Sequence, residues 1–127
     1  MKIFQILEYQ MAATETIYLG EEKVHVAVMG FGDATMITVS DGALFGPIYK
    51  VTKSQKGANE PVITVDGVFG EQHDYAQVVC RHLRLHCRVE TEQLLASVLL
   101  KRDLVTRDNL KELVDTVNKL IANWKPI

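Results

Sequence analysis

The sequence predicts an α+β fold: one sheet of about six antiparallel strands with two α-helices, in the order β-β-β-β-β-α-β-α. Three features carry this expectation. Short runs of β-branched and aromatic residues alternate with polar ones through residues 14–69, the pattern of strands with two different faces. Turn residues separate those runs, above all Asp41-Gly42, a dipeptide favoured in two-residue hairpins because both central positions need positive φ. Two later stretches repeat apolar residues every three or four positions, as amphipathic helices do.

Residues 1–13 read as an N-terminal extension, with Ile3, Leu7 and Tyr9 alternating with Phe4 and Ile6. Residues 14–19 form a first strand, and Gly20-Glu21-Glu22 turns the chain. In the second strand, KVHVAVM, Val24, Val26 and Val28 face one way and His25, Ala27 and Met29 the other. The glycines at 30 and 32 are followed by a strand rather than a helix, so their amides do not converge on an anion and no phosphate loop is expected. Residues 34–53 are expected to fold as a hairpin about Asp41-Gly42. One arm carries Met36, Ile37 and Val39, the other Leu44, Phe45, Ile48, Tyr49 and Val51. The polar stretch 54–61, SQKGANEP, reads as a mobile surface loop. A strand follows at 62–69, with a bulge near Asp66-Gly67.

The first helix is expected over residues 72–87, with Tyr75, Val78, Val79, Leu83 and His86 at helical spacing and Arg81, Arg84 and Arg88 on another arc. QLLASVLL, residues 93–100, is short and apolar throughout, which suits a buried strand. Thr106 is a good N-cap for the last helix, and Asp108 puts a negative charge at the positive end of its dipole. Leu110, Leu113, Val114, Val117, Leu120, Ile121 and Trp124 then make one apolar stripe.

The bulk properties narrow the function. A chain of 127 residues suits one domain, 1–127, able to bury about two thirds of its surface. A net charge of −2 argues against a nucleic-acid binder, which carries a basic excess. No apolar run has the length of a membrane span, and the start, MKIFQILEYQ, lacks the pattern of a signal peptide. On one helix Cys80 and Cys87 would lie about 10.5 Å apart, beyond the roughly 7 Å a disulfide tolerates. Free thiols and a reducing compartment, cytoplasm or nucleus, are therefore expected.

No constellation of residues assembles a reaction centre. His82 and His86 share a helix face and could grip a zinc ion. The metalloprotease pattern needs a glutamate after the first histidine, however, and Leu83 stands there. No Ser or Cys has a base and an orienting group in reach. No cofactor, no metal and no enzymatic activity are expected. The row Arg81, Arg84 and Arg88 reads either as a solvated face or as a docking surface for an acidic partner.

The sheet is more informative. Two helices cover one face, and the other should then be polar. Instead several strands are apolar on both sides. A covering element is expected, because exposed apolar patches of several hundred Å² mark interaction sites. Ala27, Met29, Phe45, Tyr49 and Val51 are the residues expected on that second face, under a partner or under the segment at residues 3–7.

With these elements in place, the chain resembles the proteasome assembly chaperone 3 family from about residue 14 to residue 121. The resemblance rests on T-E-x-I at 14–17, the valine strand at 24–28, I-T-V-S-D-G-A-L-F-G at 37–46 and P-V-I-T-V-D-G-V-F-G at 61–70, then the apolar strand and the capped last helix. It implies a six-stranded sheet with two helices and action without nucleotide or metal. It implies pairing with a related small chaperone, proteasome assembly chaperone 4, or with itself, and a scaffold role for the α-subunit ring of the 20S proteasome. It assigns no contact residues. The other reading is a homodimeric adaptor of roadblock or longin type, which a first helix preceded by five strands disfavours.

Overall fold

The computed structural model describes residues 12–31, 33–42, 46–54 and 61–124. The elements run β1 (Ala12–Leu19), β2 (Glu22–Phe31), β3 (Ala34–Ser40), β4 (Ile48–Ser54), β5 (Val62–Phe69), α1 (Asp74–His86), β6 (Gln93–Leu99), a single 3-10 turn (Arg102–Leu104) and α2 (Arg107–Trp124). Their order matches the sequence expectation. The N-terminal segment 1–11, Phe45 and loop residues 55–60, which carried expectations of their own, lie outside the described residues.

The six strands form one sheet in the order β1-β2-β3-β6-β4-β5. The pairing is mixed rather than antiparallel throughout, because β6 runs parallel to β3 while it runs antiparallel to β4. This corrects the expected hairpin about Asp41-Gly42. β3 and β4 are not neighbours, and β6 lies between them. The physical reason is in β6 itself: an apolar strand wants neighbours on both edges and cover on both faces, so it takes the middle. Asp41 ties the ends of β3 and β6 together. Its amide donates to the Leu99 carbonyl at 2.9 Å, and its carboxylate accepts from the Lys101 amide at 2.8 Å. The tight two-residue turn is instead at Gly20-Glu21, where Leu19 pairs with Glu22 and Gly20 adopts φ +66°, open to glycine at no steric cost.

α2 packs on β1 and β2, α1 on β4, β5 and β6, and the two helices touch. Both lie on one face of the sheet. Alternate residues of each strand form the core there, among them Val26, Ile37, Val51 and Leu94, none more than 1% exposed. α2 is capped as expected, the Asn109 amide donating to Thr106 Oγ1 at 3.2 Å, and Leu110, Leu113, Val117 and Leu120 point into the core. α1 is rotated from its expected phase. It buries Ala76, Val79, Cys80, Leu83 and Arg84 and exposes Val78 and His86. Small Ala76 and Cys80 let the helix lie close to the sheet, and larger Val78 is turned to solvent.

Candidate partner-binding face

Strand alternation puts the remaining side chains on the opposite face, where no described helix packs. Cross-strand register sets them in rows. One row runs Met29, Met36, Leu95, Lys50 and Asp66; the next runs Thr14, Ala27, Thr38, Ser97, Ile48 and Phe69. Ala27, Met29, Met36, Leu95, Leu99 and Ile48 are half-buried. The edges are polar: Thr16 and His25 share a 3.1 Å hydrogen bond toward β1, and Lys50, Thr52, Thr64 and Asp66 lie exposed toward β5. Apolar centre and polar margin is the anatomy of a protein-binding patch.

Of the expected face residues, Ala27 and Met29 lie on this open face, and Phe45 lies outside the described residues. Tyr49 and Val51 do not lie there. They point under α1, 0% and 1% exposed, which corrects their assignment. Tyr49 Oη accepts from the His73 amide at 3.0 Å, so the phenol pins the start of α1, and burial pushes its pKa up. The signal was present in the strand: with Tyr49 and Val51 inward, Lys50 and Thr52 reach water; the other phase would bury a lysine without a partner. That phase leaves Ile48 as the apolar residue β4 gives to the open face. Met36, Leu95 and Leu99 were likewise within reach of the alternation, once β6 is placed between β3 and β4.

The arginine row does not form one surface. Arg84 is 9% exposed, and its guanidinium donates to the Glu92 carbonyl at 3.0 Å and to the Thr91 carbonyl at 3.4 Å. It is a strut that ties α1 to the start of β6, with burial lowering its pKa from the usual guanidinium value. Arg81 is exposed and donates to the Ile63 carbonyl of β5 at 3.1 Å. Arg88 is exposed beyond the helix end, its amide bonded to Asn118 Oδ1 at 2.8 Å. Arg81 and Arg88 thus keep outward faces and Arg84 does not.

The remaining chemistry-bearing groups look structural. The His82 and His86 rings stand 4.4 Å apart, and burial, then the charge of His86, lowers the His82 pKa. No group of three or more metal-ligating side chains occurs among the described residues. Cys80 and Cys87 are free and buried. Burial pushes both thiols up to about 12, far from the thiolate a nucleophile needs.

A sheet with helices on one side and a partly apolar face on the other has the surface of a protein-binding domain. The family model for proteasome assembly chaperone 3 matches residues 37–120, and the chain belongs to that family, which makes it a proteasome assembly chaperone. The fold is also similar to a chain in the crystal structure of a chaperone complex for yeast 20S proteasome assembly. The TM-score is 0.59 at 17% sequence identity, over 90% of this chain and 98% of that one. No curated protein matches the sequence.

Proposed function

We propose that this protein is an ATP-independent assembly chaperone that pairs with a related small chaperone through the open face of its sheet, and that the pair scaffolds the α-subunit ring of the 20S proteasome. The observation that carries the reading is the half-buried apolar face centred on Met29, Met36, Leu95 and Ile48 in a chain of this family. A second sheet laid on that face completes a two-layer core of the kind sandwiches use. The protein acts by binding and catalyses nothing. Arg81 and Arg88, on the helix side and away from the open face, are the residues proposed to meet α-subunits, and the cytoplasm or nucleus is the proposed compartment.

The test is reconstitution. The protein, with a co-expressed chaperone 4-type partner, is mixed with recombinant α-subunits, and co-migration and ring formation are measured. Co-migration with at least one α-subunit, and faster or more complete ring formation, are expected. No binding to any α-subunit, with or without the partner, contradicts the proposal.

A further inference from the structure

Residues 1–11 read MKIFQILEYQM, in which seven residues are apolar and only Lys2 and Glu8 are charged. A segment that remains in water has the opposite balance, few apolar residues and many charges, so this one has surface to bury. β1 begins at Ala12, which the register pairs with Met29. Met29 stands beside Met36, and Met36 beside Leu95. The segment therefore joins the sheet at the end of three neighbouring apolar residues of the open face.

Two groups on the same face of β3 are already shut from water. Ala34 is 7% exposed although it is not part of the core under the helices, and Thr38 Oγ1 is buried with no hydrogen-bond partner. The helix side offers the segment no comparable place. There Lys119 of α2 holds Glu15 of β1 in an ion pair at 2.8 Å, and the outer arc of α2 carries Lys111, Glu112 and Asp115, all exposed. Reach is sufficient in either regular form. Leu95, on β6, stands three strand spacings from β1, about 14 Å. Residues 3–11 span about 30 Å extended and about 14 Å as a helix.

We propose that residues 3–7 fold back over Met29, Met36 and Leu95 of their own sheet and cover the open face in the free chain. Covalent attachment places the segment at an effective concentration on the order of millimolar, so few contacts suffice to hold it. The inference goes beyond the proposed function and adds a step to it: the partner takes this face by displacing the segment.

The test reads the free protein by limited peroxide oxidation with mass spectrometry, following the rates at Met29 and Met36. The variant is Phe4→Asp with Leu7→Asp. These positions share a face of a helix and lie on opposite faces of a strand, so either form loses its cover. Gln5→Asp with Gln10→Asp is the control for added charge. All are compared at a concentration where sedimentation velocity shows a monomer. The Phe4 and Leu7 variant is expected to oxidise at both methionines at least threefold faster than the wild type, and the control at the wild-type rate. Deletion of residues 2–10 is expected to give the same acceleration, and it answers the question if the charged variant fails to fold. Wild-type rates in either variant, once folded, overturn the proposal; so does equal acceleration in the control. Because no partner is present, either failure leaves the proposed pairing standing, and failure to find a partner complex leaves the cover standing.

Discussion

The two faces of the sheet are made by the same strands, residue by alternate residue, yet they differ in kind. Under the helices, Val26, Ile37, Val51 and Leu94 are no more than 1% exposed, and Tyr49 and Val98 complete a continuous apolar layer. On the open side the neighbours of those residues, Ala27, Met36, Lys50 and Leu95, are half-buried or exposed. Two hydroxyls lie among them: Ser97 donates to the Gly46 carbonyl at 3.1 Å, and Thr38 Oγ1 is buried with no hydrogen-bond partner. The first face is closed by the chain's own helices, so its composition answers to stability. The second has no described helix on it, and in the proposed function its composition answers to association. A substitution should therefore act on folding or on binding according to which face it touches.

The largest effect on stability is expected on the covered face. Leu94→Ala removes a fully buried side chain and should destabilise by about 2–5 kcal/mol, read from urea unfolding; a loss comparable to that of an exposed residue would erase the distinction between the faces. Arg84→Ala comes next. It removes hydrogen bonds to the Thr91 and Glu92 carbonyls, and charged hydrogen bonds are worth roughly 1.5–3 kcal/mol. Arg88→Ala, on the same stretch but exposed, should stay within about 0.5 kcal/mol. Equal losses from the two would mean that Arg84 is not a strut.

Most of the element order was legible because it depends on local pattern: strand alternation, the Thr106 cap and the α2 stripe all rest on neighbours within a few residues. Strand order was not legible. Asp41-Gly42 has the composition of a hairpin turn, but β6, far along the chain, takes the place beside β3, and no local signal announces that. The open face was half legible. Ala27 and Met29 follow from the valine strand, whereas Tyr49 and Val51 were placed on the wrong side although Lys50 and Thr52 mark the phase. Arg84 was read with Arg81 and Arg88 because spacing on a helix shows which residues are near each other and not which way the helix is turned.

Two smaller effects sharpen the comparison. Leu95→Lys, on the open face, should change the stability of the isolated protein by no more than about 1 kcal/mol, although its neighbour Leu94 is critical. Thermal melts of the two variants side by side test this, and a Leu95→Lys variant as unstable as Leu94→Ala would show that the open face belongs to the core. The smallest effect is that of His82. Burial, then the neighbouring His86, holds it below the imidazole value of 6.5, so just below that value the unfolded chain binds a proton that the folded chain does not. Its contribution is thus fully favourable above 6.5 and declines as the pH falls through the lowered folded value. His82→Gln should melt with a shallower decline between pH 7 and pH 5 than the wild type; identical profiles would show that His82 titrates normally in the fold.

The central claim is that the open face, and not another surface, receives the partner chaperone. Met29 and Met36 lie on that face, paired across β2 and β3 and half-buried, and thioether oxidation reports their access to solvent. Limited peroxide oxidation followed by mass spectrometry, on the protein alone and in complex with its co-expressed partner, reads both residues directly. The account predicts that complex formation slows oxidation of Met29 and Met36 by at least tenfold. A complex that forms fully and leaves both rates unchanged would contradict it.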